Sequence, residues 1–171
     1  MTGRKHQLSR QHDVGGHIGR LHSIESAGGP YELRIDSEGN WFHGGIEIVR
    51  KDILQLFSQN LRRAADGSYF LRIGRDEAPV VVEDVPFVVV RVQEASGGNF
   101  QLLLSDGATE PLRPETITFN SENVPYCLIR EDLEAKLSRQ AYYQLAKYIE
   151  FDKMSDSYYL CVGERRILLP S

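Results

Sequence analysis

Two stretches of this chain repeat one another at a fixed offset of 89 residues, which restricts the fold to two copies of one unit. Arg50–Leu56 (RKDILQL) lies over Arg139–Leu145 (RQAYYQL), and Ser68–Gly74 (SYFLRIG) over Ser157–Gly163 (SYYLCVG). Across residues 48–74, seven of 27 ungapped pairs are identical. In the first copy, Ile53, Leu56, Phe57 and Leu61 fall on one face of a helix from Arg50 to Leu61. The Ser-Tyr-aromatic-Leu string that follows in both copies has strand character. Packing the copies together makes an interface between them, and small-molecule sites favour such interfaces.

The remaining periodicity predicts mostly strands. Tyr31–Asp36 alternates apolar and polar residues, Ser37–Asn40 is a turn, Trp41–His43 is a short strand, and Ile46–Ile48 is extended. Gly74–Pro79 reads as a polar loop. Ser96–Asn99 and Asp106-Gly107 are hairpin turn signals that bracket a strand over Phe100–Leu104. Thr116–Phe119 is another short strand. The apolar residues Leu133, Leu137, Ala141, Leu145 and Tyr148 predict a long helix from about Glu131 to Ile149. Ser157–Val162 and Ile167–Leu169 close the chain as strands. The fold class is therefore α+β: two related halves, 30–90 and 91–171, each with a small, mainly antiparallel sheet and one helix. Residues 1–29 are polar, Gly-rich and aperiodic, the composition of a flexible extension.

The stretch Val80–Val90 breaks the pattern of a plain core strand. Valines flank two carboxylates, Glu83 and Asp84, and Pro86 cannot donate to a sheet ladder. An edge or a bulge is expected there, where side chains are re-aimed. In a regular strand, Glu83 and Asp84 would point to opposite faces, which argues against a catalytic carboxylate pair. Asp84 is expected to hold local structure beside Pro86, and Glu83 to face a partner. Trp41 and His43 share a strand face, either as a core Trp with a satisfied His or as a candidate platform for a planar base. Arg50 and Arg139 are equivalent in the repeat. As guanidiniums they suit a phosphate or carboxylate, or else salt bridges to Glu83 and Glu134 that pin the halves together.

Composition excludes several function classes. The net charge of −4, with both signs interspersed, disfavours general nucleic-acid binding. No apolar run approaches the ~18–20 residues of a membrane span, and Met1–Arg20 lacks the hydrophobic core of a secretory signal. Cys127 and Cys161 form no CxxC pair and are expected to be reduced thiols in a cytoplasmic protein. His6, His12, His17 and His22 have no compact ligand spacing, so no metal is expected. No phosphate-binding lysine loop, dinucleotide fingerprint, serine-nucleophile elbow or Cys-His signature is present. No cofactor is expected, and no catalytic motif supports an enzyme.

The run Asp36-x-x-Gly39-x-Trp41-x-His43-x-Gly45-x-x-Ile48-x-Arg50, with Leu56-Phe57 and Val82–Phe87 after it, resembles the bacterial domain of unknown function 1285 family. The later run Tyr126-x-x-x-Arg130-x-x-Leu133-Glu134-Ala135-x-x-x-Arg139-x-x-x-Tyr143 is similar to that family's C-terminal half. The resemblance implies a duplicated α+β core whose second half is loosely pleckstrin-homology-like. It also implies a site between the halves for a nucleotide-like ligand, and a part in signal transduction.

Combining these readings, Trp41, His43, Arg50, Glu83, Asp84 and Phe87 are expected to line a ligand site, with Arg130 and Arg139 opposite. The leading expectation is a ligand-binding or sensing module for a nucleotide-like or other anionic ligand. The alternative is a protein–protein interaction domain that uses the same surface for a protein partner.

Overall fold

The computed structural model describes residues 32–130 and 133–170. The extension over 1–29 and its histidines lie outside the described residues.

The first half begins with a three-stranded meander, β1 (Leu33–Ile35), β2 (Trp41–His43) and β3 (Ile46–Glu47), and runs into helix α1 (Lys51–Asn60). A second meander follows: β4 (Leu61–Arg63), β5 (Tyr69–Ile73) and β6 (Asp76–Val82). The two join through a parallel pairing of β1 with β6, giving one sheet in the order β3-β2-β1-β6-β5-β4. The alternation that predicts β1 is borne out: Leu33 and Ile35 are buried while Arg34 points outward.

The second half opens a few residues before the expected boundary after residue 90, because β7 (Phe87–Glu94) belongs to the second sheet, and continues with β8 (Phe100–Leu104) and β9 (Thr109–Pro111). The meander β10 (Thr118–Phe119), β11 (Pro125–Leu128) and β12 (Glu134–Leu137) then leads into α2 (Arg139–Ala146). Here too a single parallel pairing, β12 with β7, unites the sheet, in the order β10-β11-β12-β7-β8-β9. The chain ends in a separate three-stranded sheet of β13 (Ile149–Asp152), β14 (Ser157–Val162) and β15 (Arg165–Leu168). The repeat explains it. At the 89-residue offset, β13–β15 are the second copy of β4–β6, and α2 is the second copy of α1. In the first half β6 pairs with β1, whereas in the second half the parallel partner of the main sheet is β7.

Two local expectations are corrected. The long helix over 131–149 is instead strand β12 followed by the shorter α2. Leu133, Ala135 and Leu137 alternate with polar residues at period two, and their burial reads as a strand: Ala135 and Leu137 are buried, Glu134 and Lys136 only partly. Ser138 then starts α2, its hydroxyl accepting the Ala141 N–H at 3.2 Å as an N-cap. The polar loop over 74–79 is only a tight turn at Gly74-Arg75, because β6 begins at Asp76 and buries Ala78. Pro79 is tolerated there because β1 pairs only with Val80–Val82, so that side of β6 is open at Pro79.

One hydrophobic cluster runs through both halves, from Ile35, Trp41, Leu61 and Leu71 to Phe87, Leu102, Leu104 and Leu145. The halves are also tied by polar contacts. The Lys136 ammonium donates to the Ser37 carbonyl at 2.7 Å, and the Tyr69 hydroxyl donates to Glu134 at 3.0 Å. Burial, and then the bond to the Glu134 carboxylate, push the Tyr69 phenol up to about 12.

Candidate functional site

Between the halves lies a cleft of about 570 Å³. One wall is helix α1, whose Lys51, Leu54, Gln55 and Ser58 recur at the i, i+3, i+4, i+7 spacing of a single helical face. The opposite wall comes from the second half: Pro86, Phe87 and Val90 of β7 and its approach, and the β8–β9 turn at Ser105–Gly107. Trp41, Ile48 and the β1–β2 turn at Gly39-Asn40 complete the first-half side.

Each wall is fixed by a local device. The Asp36 carboxylate accepts the Glu38 and Asn40 backbone N–H groups, both at 2.9 Å, and so sets the β1–β2 turn. Partial burial pushes the Asp36 carboxyl up, but these bonds outweigh it and hold it below its ordinary value. Trp41 is buried and packs against Phe57 of α1, with ring centroids 5.4 Å apart, which seats the helix on the sheet. Gly39, at φ +81°, leaves the turn close to Ser105 across the cleft; a Cβ there would sit 3.0 Å from the Ser105 hydroxyl. Val90 enters the cleft by a β-bulge: Val89 pairs with Leu104 and Arg91 with Leu103, leaving Val90 without a cross-strand partner.

Chemically the cleft is an apolar trough with few polar groups. Lys51 is exposed and forms no ion pair among the described residues. Asp106 is already engaged: it meets the Arg130 guanidinium at 2.8 Å and accepts the Ala108 N–H at 2.9 Å. Ser58 is 1% exposed, and its hydroxyl has no hydrogen-bond partner.

The predicted residues distribute unevenly over this geometry. Trp41 and Phe87 line the cleft from opposite halves. His43 stands exposed at the end of β2 and does not line it. Arg50, at the N-cap of α1, turns away to pair with Asp52. Arg130 lies behind the wall, its guanidinium 5.0 Å over the Phe87 ring and bonded to Asp106. Arg139 lies on a shallow groove of α2 with Tyr143 and Lys147. The structure thus does not bring Arg50, Arg130 and Arg139 together as one anion site.

Glu83 and Asp84 lie on the bend between β6 and β7, and each is tied to a different half. Glu83 pairs with Arg34 and accepts the Ser37 N–H, both in the first half. Asp84 accepts from the Tyr126 hydroxyl at 3.2 Å and the Lys136 ammonium at 2.9 Å, in the second. The salt bridges considered for Arg50 and Arg139 do not form to Glu83 or Glu134; Glu134 meets Arg63 at 3.5 Å instead.

Sequence reasoning missed Lys51, Gln55 and Ser58. The helical period alone would place all three on one polar face of α1, but nothing local shows that Ser58 is buried. Among the described residues, no group of three or more His, Cys, Asp or Glu could hold a metal, and no helix is long and apolar enough to cross a membrane.

The fold and the cleft define a class: a duplicated α+β protein of two six-stranded mixed sheets whose halves enclose a small-molecule-sized trough. Residues 25–85 match the family model described as "Domain of unknown function (DUF1285), N-terminal domain", and residues 86–164 match "Protein of unknown function (DUF1285), C-terminal domain". The chain belongs to the DUF1285 family, as the motifs around Trp41 and Tyr126 imply, and the two family models meet on the bend that joins the sheets. Two solved structures of this family are similar in fold. One, from Shewanella baltica OS155, is 23% identical with a TM-score of 0.61, over 69% of this chain and 91% of that one. The other, from Silicibacter pomeroyi DSS-3, is 24% identical with a TM-score of 0.68, over 84% of this chain and 80% of that one. No curated protein matches the sequence.

Proposed function

We propose that this protein is a non-enzymatic binding module that takes one small ligand in the cleft between its halves. The observation that carries the reading is the cleft itself: about 570 Å³, concave, and walled by both copies of the repeat. That volume falls within the roughly 300–1,000 Å³ of small-molecule sites, and a mostly apolar lining with a few polar groups is their usual composition. A ligand touching α1 on one side and β7 on the other favours the apposed arrangement of the halves, which is how such a module would sense and report its ligand. A phosphate-rich ligand is less well supported, because the three candidate arginines stand outside the trough. A protein-docking face built on Trp41 and Phe87 has less support still, since both rings are buried.

The test is a thermal-shift screen over small acids, nucleotides, cyclic nucleotides and amino acids, repeated on Val90→Phe. Val90 is 38% exposed at the bulge, so the larger ring fills the cleft without disturbing the core. Only binding to the folded state raises apparent stability. A stabilising compound whose effect disappears in Val90→Phe supports the reading. Stabilisation that survives in Val90→Phe, or none across the screen, refutes it.

A further inference from the structure

Ser58 is the one polar residue buried as a whole among the described residues, and its hydroxyl has no hydrogen-bond partner. A buried hydroxyl without a partner is an incomplete hydrogen bond, and here it lines a trough open to a ligand. At the other end of the same helical face stands Lys51, the first residue of α1. Two turns separate these positions, about 10 Å along the helix axis. Between them the cleft presents hydrocarbon and ring: Leu54, Trp41 and Phe87.

Charge narrows the ligand further. Lys51 is the single cation among the cleft's lining residues, Glu47 among them is an anion, and Asp106 shares the Arg130 guanidinium with Glu110, which meets it at 3.4 Å. A di- or triphosphate would bring two or more negative charges to one ammonium with a carboxylate nearby, an unfavourable balance. A monoanion matches. A plain alkyl acid would satisfy Lys51 but leave the Ser58 hydroxyl bare.

We propose that the cleft takes a flat aromatic carboxylate with a second hydrogen-bonding group at its far end, the anion meeting Lys51 at the mouth and the far group meeting Ser58 at the floor. This rests on the reading of the cleft as a small-ligand site and supplies its chemical class. 4-Hydroxycinnamate is a suitable probe, since its carboxylate and phenol stand at opposite ends of a rigid plane.

The experiment is isothermal titration of the full chain with 4-hydroxycinnamate, cinnamate, 4-hydroxycinnamamide, decanoate and adenosine monophosphate. Wild type, Lys51→Gln, Ser58→Ala and Val90→Phe are compared. Removing either polar end of the probe is expected to weaken binding about tenfold, the effect of one hydrogen bond to a charged or buried group. Lys51→Gln should erase the preference for the acid over the amide, and Ser58→Ala the preference for the phenol over cinnamate. Ser58→Ala leaves no group unpaired, so its folding is not in question, and melting of each variant checks this. Equal affinity for acid and amide, equal affinity for phenol and cinnamate, or a phenol preference that survives in Ser58→Ala overturns the proposal. Tighter binding of decanoate or of the nucleotide, abolished by Val90→Phe, overturns this ligand class while leaving the cleft as a site. Silence from these probes, together with silence from the wider screen, overturns both.

Discussion

Replacing Ser58 by alanine should make this protein more stable, against the usual direction for a buried substitution. Ser58 is 1% exposed, lies within α1 and has no hydrogen-bond partner. Burying an unsatisfied polar group costs about 1–3 kcal/mol, and alanine relieves it by removing the hydroxyl. Serine in a helix interior is also worse than alanine by up to about 0.5 kcal/mol. Against these stands only the loss of one oxygen's packing, a few contacts of ~0.1–0.2 kcal/mol each. The sum is a gain of about 2 kcal/mol. For a chain of this size that raises the melting temperature by about 4–8 °C. Thermal melts and urea titrations measure it, and the urea slope should stay constant because the surface exposed on unfolding does not change. A melting temperature equal to or below wild type would refute the reasoning. It would mean that the Ser58 hydroxyl is satisfied in the unliganded protein and does not await a ligand group. The expected gain is the signature of a residue whose value lies in binding rather than in folding.

Two further outcomes test the packing of the fold. Gly98→Ala should cost about 3 kcal/mol, combining left-handed backbone strain with overpacking, because Gly98 sits at φ +73° and a Cβ would lie 2.4 Å from the Gly163 backbone nitrogen. Gly107→Ala, at φ +83° in open space, should cost only about 1 kcal/mol, and equal urea midpoints for the two variants would contradict the close approach of the β7–β8 turn at Gly98 to the β14–β15 turn at Gly163. Stability should also fall as pH rises from about 9 to about 12, because burial pushes both the Tyr69 phenol and the Cys127 thiol up to about 12. The folded chain then holds protons that the unfolded chain releases at lower pH, so this contribution is complete below the unfolded values and lost progressively as pH rises through the folded ones. Urea midpoints across that range should decline, less steeply in Cys127→Ala, and a flat profile would exclude raised values for the Tyr69 phenol and the Cys127 thiol.

Much of the fold is legible from local pattern. The period-two alternation around Leu33 and Ile35, the turn residues at Gly39 and Gly97-Gly98, and the presence of a helix after Arg50 each need no partner to be read, although Leu61, expected on the helical face, opens β4 and the buried residue of α1 is Ser58. The helix predicted over 131–149 fails for a reason that can be stated. Leu133 and Leu137 are four apart, so they fit both a helical face and, with Ala135 between them, one side of a strand. Alanine's high helix propensity tips the local reading, while the parallel pairing with β7 that selects the strand is far away in sequence. Pro79 misleads in the same way, because only the short reach of β1 makes room for it in a sheet.

The site is less legible because no single segment contains it. Two of the three arginines that chemistry nominates are consumed by the fold, Arg50 on Asp52 and Arg130 on Asp106, and the third, Arg139, lies on the α2 groove away from the cleft. An arginine with a carboxylate in reach pairs with it, so a guanidinium in a sequence rich in both signs is a poor guide to a ligand. The informative residues are those left incomplete by folding, and these are visible only once the halves meet. The Val80–Val90 stretch is where they meet. Its two carboxylates anchor the bend, Glu83 to the first half and Asp84 to the second, and its bulge at Val90 turns a side chain into the space between them. The bulge expected from Pro86 in fact falls four residues later, inside β7, because its pairing with β8 begins only at Val89. The segment that breaks the strand pattern thus both joins the two copies of the repeat and walls the cleft they form. The irregularity marks the site, although the identity of its residues does not name the ligand.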